Sequence, residues 1–271
     1  MVIIEDAERL TESAANALLK AIEEPGARTI WLLCAPTVED VLPTIRSRCR
    51  QVALVTPSTS AITQLLVREE EVTKEIAAFA ARASQGHIGR ARFLVREPES
   101  RARRDEIIKF ALELHDVAGA MSGAARLMEI AALEAASEAS ERDEIEREEL
   151  AIALGAGGTG KGAPSGSSKA LKDLEKEQKS RVTRATRDSI DRALLDIASA
   201  YRDVLSIQMG ASDSLELINE HLRIDIEKRA ASSDSEGVMK RWEEIMATRR
   251  ALKFNVAPLL ALEALFLKVR F

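Results

Sequence analysis

Apolar residues at the start of the chain occur in short continuous runs separated by one amphipathic stretch. Residues 2–4 and 29–35 form two such runs, which are typical of parallel strands buried on both faces. Between them, residues 12–23 carry Ala, Leu and Ile at helical spacing, and a Pro-Gly pair ends this helix. Residues 51–55 predict a third strand. The order strand, helix, strand, short helix, strand predicts an α/β sheet over residues 1–56.

The pattern changes beyond this region, where apolar residues recur every three to four positions and predict amphipathic helices. We expect helices over residues 58–68, 71–84, 89–96, 98–137 and 169–210, with two or three more before residue 271. Residues 138–149 contain seven acidic and two basic residues, and residues 155–168 are rich in Gly, Ser and Pro. Such a composition is typical of a solvated linker, so we expect a flexible surface insertion at about 138–168.

Composition and charge exclude several classes of protein. The 271 residues are 46% hydrophobic, 31% charged and only 3% aromatic, which favours a helical globular fold. The apolar runs are shorter than the roughly 18–20 residues of a membrane span, so we expect no membrane contact. A net charge of −5 argues against a protein that coats nucleic acid. Two cysteines and three dispersed histidines give no metal-ligand pattern, which predicts a reduced, intracellular, metal-free protein.

Two short motifs have the form of magnesium or phosphate sites. Glu5 and Asp6 follow the first predicted strand, and the carboxyl ends of strands in open α/β sheets face the ligand crevice. The pair fits magnesium binding or water activation, and it equally fits a solvated strand end. Residues 155–162 have the G-x-x-x-x-G-K spacing of a phosphate-binding loop. Because Gly162 replaces the Ser or Thr that binds magnesium and no buried strand precedes this stretch, we interpret it as linker.

Three arginines, Arg46, Arg48 and Arg50, alternate along one short stretch. A guanidinium can hold phosphate oxygens in bidentate geometry, so the cluster is a candidate anion site. An exposed, charge-balanced loop explains the same spacing.

Longer motifs resemble those of bacterial clamp-loader subunits of the AAA+ family, and among these they are most similar to the delta-prime class of DNA polymerase III subunits. The motifs that carry the resemblance are VIIEDAERL (2–10), NALLKAIEEP (16–25), LPTIRSRC (42–49), ASQGHIGRA (83–91) and LKFNVAPLLALE (252–263). The resemblance implies residues 1–56 as the C-terminal half of an AAA+ α/β domain, 57–98 as a helical lid, and 99–271 as a helical collar.

The resemblance also implies a function in DNA replication. Family members form a five-subunit, ATP-driven ring that loads the sliding clamp on primed template DNA. Ser47, Arg48 and Cys49 match the family's Ser-Arg-Cys motif, so Arg48 would be an arginine finger that reaches the ATP site of a neighbouring subunit. The implied partners are the gamma/tau motor subunits, the delta subunit, the clamp and, through the assembled complex, DNA. ATP and Mg²⁺ would bind the neighbour, with no cofactor on this chain.

Departures from the motor-subunit pattern imply a stator without hydrolytic activity. Glu5 and Asp6 reverse the Asp-Glu order of the motor subunits, so they correspond to a degenerate Walker B motif. Arg90, a possible lid sensor, lies one position from the motor subunits' arginine. No phosphate loop precedes Val2, so we expect the start of the chain to be truncated. The chain alone would have no catalytic activity, although it would belong to a DNA-directed DNA polymerase holoenzyme, a nucleotidyltransferase. The alternatives are a motor ATPase that has lost its phosphate loop by truncation and a helical scaffold module.

Overall fold

The computed structural model describes residues 1–153, 167–211, 215–254 and 256–271. Within these ranges the chain forms two compact units, Met1–Thr56 and Pro57–Phe271. The first unit contains the sheet and two helices, and the second is helical. The predicted change from mixed α/β to all-α is therefore confirmed. None of the helices in these ranges combines the length and apolar content needed to cross a membrane.

Two short parallel strands form the sheet of the N-terminal unit. β1 (Val2–Ile4) pairs with β2 (Trp31–Leu33), and Ile3 lies opposite Leu32. Parallel strands need a crossover connection, and α1 (Glu12–Glu23) lies within it. The parallel pairing is as predicted, but burial on both faces is not. Ile3 is 51% and Leu32 44% exposed, because burial of both faces requires a covering layer on each.

The prediction of a third strand at residues 51–55 is wrong. These residues have no regular secondary structure, and Leu54 and Val55 are almost fully exposed. An apolar run becomes a strand only when a neighbouring strand satisfies its backbone N–H and C=O groups. The sheet that the structure describes consists of β1 and β2, and neither pairs with this segment.

The helices of the N-terminal unit share a small apolar cluster. The hydroxyl of Thr11 accepts a hydrogen bond from the N–H of Ala14 at 3.2 Å, so Thr11 caps α1. The short helix α2 (Pro43–Arg46) begins with proline, which is favoured at the first helical position. The buried members of the cluster are Ala15, Ile22 and Ile45.

The second unit begins with three short helices and continues with helices of 10 to 42 residues. Its helices are α3 (Thr59–Glu69), α4 (Lys74–Ser84), α5 (Ile88–Arg96), α6 (Pro98–Glu113), α7 (Val117–Ala153), α8 (Ser167–Gln208), α9 (Arg223–Ser232), α10 (Ser235–Leu252) and α11 (Pro258–Val269). The first three share one apolar cluster, and a larger cluster joins the remaining six. The fully buried side chains of the larger cluster include Tyr201, Phe266, Ile130 and Leu194.

Part of the expected flexible insertion is helical instead. Residues 138–153 complete α7 and residues 167–168 begin α8, whereas residues 154–166, with most of the Gly-rich motif, lie outside the described ranges. Arg181 on α8 donates to Asp143 and Glu146 on α7 at 2.9 and 3.0 Å. The acidic run that resembled a solvated linker is thus one side of an interhelical ion-pair contact.

Candidate functional site

The candidate site lies where α2 ends in the N-terminal unit. The side chain of Ile45 is 1% exposed and anchors this single turn of helix in the small apolar cluster. Past the turn, the N–H of Ser47 donates to the carbonyl of Pro43 at 3.0 Å, and the N–H of Arg48 donates to the carbonyl of Ile45 at 3.0 Å. The backbone that carries the Ser-Arg-Cys motif is therefore fixed by main-chain bonds and one buried side chain.

The guanidinium of Arg48 is oriented by three acceptors. Its Nε donates to a carboxylate oxygen of Glu23 at the end of α1. Its Nη1 donates to the main-chain oxygen of Thr44 at 2.8 Å and to the hydroxyl of Ser47 at 3.2 Å. The Arg48 side chain remains 36% exposed. The arrangement holds a permanent positive charge in a fixed direction while part of the guanidinium still faces solvent.

Ser47 and Cys49 support this geometry. The Ser47 hydroxyl donates to the carbonyl of Thr44 at 3.1 Å while it accepts from Arg48. Cys49 packs against the small apolar cluster, and burial raises the pKa of its thiol. A raised pKa keeps the sulfur protonated at neutral pH, so Cys49 is suited to packing and poorly suited to act as a nucleophile.

Glu5 and Asp6 lie at the carboxyl end of β1, as the sequence predicted. Both residues are exposed, and Asp6 has a positive φ of 54°, a conformation that Asp tolerates better than most residues. The next residue, Ala7, is tied back to the sheet because its N–H donates to the carbonyl of Cys34 at 2.8 Å. The acid pair therefore sits on a tight turn at the strand end.

Arg90, the possible lid sensor, lies in the helical unit and is held by an internal ion pair. It follows the start of α5, where the His87 ring accepts from its N–H at 3.0 Å. Its guanidinium donates to Asp196 on α8, and the Arg90 side chain is 12% exposed. The pairing gives Arg90 a defined structural partner within its own unit.

Sequence reasoning missed the buried polar network around this ion pair. Arg104 donates through Nε to Asp196 at 2.9 Å and through Nη2 to Asn219 at 2.6 Å. Asn219 in turn donates to Asp203, which is fully buried. Arg104 and Asp196 are 92 positions apart in sequence, so no local pattern identifies them as partners.

Comparison with known proteins places the candidate site in a recognised family segment. Residues 1–58 match a family described as "DNA polymerase III, delta subunit". The chain is 39% identical over 103 residues to DNA polymerase III subunit delta' of Escherichia coli K12, an alignment that covers 38% of the chain and 31% of the relative. It is 32% identical over 119 residues to the Bacillus subtilis protein of the same name, covering 44% and 36%.

A third relative, DNA polymerase III subunit delta' of Haemophilus influenzae, is 50% identical over 58 residues, which is 21% of this chain and 18% of that protein. The chain therefore aligns with well under half the length of these relatives. The predicted resemblance to delta-prime subunits is confirmed by these matches.

Proposed function

We propose that this chain, a relative of bacterial DNA polymerase III delta-prime subunits, serves as the delta-prime-like subunit of a clamp loader in cytoplasmic DNA replication. The support is that the family match covers residues 1–58, which contain the whole Ser-Arg-Cys site and its Glu23 contact. The named relatives are subunits of a DNA polymerase III, and they are 32–50% identical to this chain over 58–119 aligned residues.

The observation that carries the mechanistic part of the proposal is the held but exposed guanidinium of Arg48. In our proposal Arg48 reaches the γ-phosphate of ATP bound with Mg²⁺ on a neighbouring motor subunit. A guanidinium is always charged and matches phosphate oxygens in a plane, so it can stabilise the charge that develops during phosphoryl transfer. Arginine fingers of this kind accelerate hydrolysis by about 10³-fold or more.

We further propose that the chain is a stator that does not hydrolyse ATP itself. Glu5 and Asp6 stand in the reverse order of a motor subunit's acid pair. Reversal puts the longer side chain at the metal-binding position and the shorter one at the water-activating position, so both carboxylates are displaced from where the reaction needs them. The chain's contribution to the ATP site would then be Arg48.

The proposed partners are the gamma/tau motor subunits, the delta subunit, the sliding clamp and primed DNA held by the assembled ring. Large apolar side chains on the helical unit support assembly with other proteins. Ile224, Phe254 and Leu260 are 65–82% exposed, and contact with a partner protein would remove their apolar surface from water.

The test is the clamp-stimulated ATPase of a loader reconstituted with this chain and its motor and delta subunits. Arg48→Ala should lower the rate about 10³-fold, because the transition-state charge loses its stabilising cation. Arg50→Ala removes an exposed arginine two positions away and should leave the rate nearly unchanged. An unaltered rate with Arg48→Ala and normal assembly would favour the scaffold alternative and exclude the arginine finger.

A further inference from the structure

The helical unit contains a cavity that the proposed clamp-loader function does not use. Its volume is about 600 Å³, and it lies between the end of α6, one face of α9 and Phe271. Asp225, Lys228 and Arg229 line it from α9, and their spacing of three and four residues places them on the same face of that helix. A volume of this size is in the range of pockets that bind small molecules or single peptide side chains.

Arg229 is the unusual residue of this cavity. It is 8% exposed, and its guanidinium lies 3.8 Å from the ring centre of Phe271. Its Nε is buried without a hydrogen-bond partner. Over the described residues the Arg229 guanidinium has no carboxylate within ion-pair distance, although Glu113 contributes a favourable charge from farther away.

A second arginine that is buried among the described residues, Arg104, shows what a structural role requires. Arg104 is 4% exposed and is bonded to Asp196 at 2.9 Å and to Asn219 at 2.6 Å. Buried cations are normally paired, because transfer from water to a protein interior is unfavourable without a counter-charge. Arg229 lacks such a partner, and burial lowers its pKa.

A second guanidinium makes the region more positive. Arg241 lies 3.9 Å from the ring centre of Phe271, and it too lowers the pKa of Arg229 through like-charge repulsion. Arg241 is itself satisfied, since it donates to the carbonyls of Val269 at 3.0 Å and Arg270 at 3.1 Å. Other arginines also have one buried nitrogen without a hydrogen bond, among them Arg104 at Nη1, but Arg104 has a paired carboxylate. Of the two guanidiniums over Phe271, the one for which the described residues supply no hydrogen-bond acceptor is Arg229, which lines the cavity.

We propose that this cavity binds a carboxylate, held by the guanidinium of Arg229 with the ammonium group of Lys228 lining the same space. A carboxylate matches the planar guanidinium and supplies the absent counter-charge. Glu113 and Asp225 also line the cavity, and their negative charges oppose a dianion such as phosphate more strongly than a single carboxylate. Leu112 and Phe271 add apolar wall, which suits a carboxylate attached to an aliphatic stem.

Two sources of a carboxylate can be separated by titration calorimetry on the whole chain. One probe is succinate, a free small acid, and the other is the blocked dipeptide acetyl-Leu-Glu-amide, which represents an acidic side chain of a partner. Inorganic phosphate is titrated for comparison, and all titrations are run at the same ionic strength with chloride as the background anion. We expect saturable binding of at least one probe, and the tighter one identifies the source.

Arg229→Gln should weaken that binding about tenfold or more, because a charge-assisted hydrogen-bonding pair is lost. Arg223→Gln is the matched control, since Arg223 lies on the same helix and is already paired with Glu220 at 2.7 Å. It should leave the affinity unchanged. Glu113→Gln should tighten binding several-fold, because it removes a competing negative charge from the cavity.

The melting temperature without probe separates a binding role from a structural one. Arg229→Gln should keep or raise it, since the variant removes an unpaired buried cation. The proposal is overturned if neither probe binds, if Arg229→Gln lowers the melting temperature while binding persists, or if phosphate binds more tightly than both carboxylates. None of these outcomes depends on clamp loading, so this proposal and the proposed function can fail separately.

Discussion

The two compact units of this chain differ in how they treat apolar side chains. The helical unit fully buries many large ones, including Tyr201, Phe266 and Leu194, although others such as Phe254 stay exposed. The N-terminal unit buries little beyond Ala15, Ile22 and Ile45, and it leaves Ile3 and Leu32 about half exposed. The difference teaches that burial of apolar side chains stabilises mainly the helical unit. The candidate site, the Ser-Arg-Cys motif, lies on the unit that buries fewer of them.

The same contrast between the units applies to their arginines, and it fits the proposed function. An arginine that is proposed to act on a neighbouring protein must keep part of its side chain at the surface, and the side chain of Arg48 is 36% exposed. In the helical unit, Arg90 and Arg104 instead form ion pairs with the carboxylate of Asp196. The packing around each arginine thus decides whether its guanidinium stays partly exposed to solvent or pairs with a carboxylate inside the unit.

The largest expected effect compares one core side chain from each unit. Phe266→Ala removes a fully buried ring that packs 5.4 Å from Phe110, and it should lower the free energy of unfolding by about 3–5 kcal/mol. Leu32→Ala should cost less than about 1 kcal/mol, because that side chain is already partly hydrated. Urea unfolding followed by circular dichroism measures both. Equal losses would contradict the contrast between the units.

A somewhat smaller loss is expected from the buried polar network of the helical unit. Asp196→Ala leaves Arg90 and Arg104 without their shared carboxylate, and should destabilise the fold by about 3 kcal/mol. Glu236→Gln provides the control, since it breaks the exposed pair with Lys240 and should change stability by less than about 0.5 kcal/mol. Chemical denaturation of the two variants gives the comparison. A neutral Asp196→Ala would show that the network adds no stability.

The sequence predicted secondary structure correctly where interactions between residues close in sequence determine it. The apolar spacing of α1 and of the helices up to residue 96 follows from patterns within a few turns. The single helix expected over residues 98–137 is wrong, since α6 ends at Glu113 and α7 begins at Val117. The Ser-Arg-Cys stretch was located because the motif is contiguous. The strand at residues 51–55 failed because strand formation depends on a neighbour that no local pattern reveals.

Distant pairings account for the other differences. The acids at 138–149 were expected in a linker, but Arg181 and its neighbours on α8 give them partners, so they form a helix. Arg104 and Asp196 meet across 92 residues, and nothing near either position signals the contact. The unpaired state of Arg229 depends on what surrounds it in three dimensions, so only a structure can display it.

The smallest expected effect concerns pH and the surface of the helical unit. Two hydrogen bonds from Arg96, at 2.7 and 2.8 Å, hold the pKa of Glu70 below its ordinary value of 4.5. The ionised form is favoured by folding, so this contribution is present above about pH 4.5 and is lost as the pH falls through the lowered pKa.

Stability measured across the acidic range tests this sign. Arg96→Gln should be less stable than the parent above pH 4.5, and the two should converge at lower pH. Lys74→Gln, an exposed change on α4, should show no such convergence. A difference that grows on acidification would contradict the assignment.

The central claim is that Arg48 stabilises phosphoryl transfer at a neighbour's ATP site, and trapping of a transition-state analogue tests it most directly. Loaders containing this chain or its Arg48→Ala variant are incubated with ADP, Mg²⁺ and aluminium fluoride, and the nucleotide retained by the motor subunits is measured. Retention should fall strongly with Arg48→Ala. It should fall also with Arg48→Lys, because lysine lacks the planar fork. Equal retention in all three loaders would contradict the account.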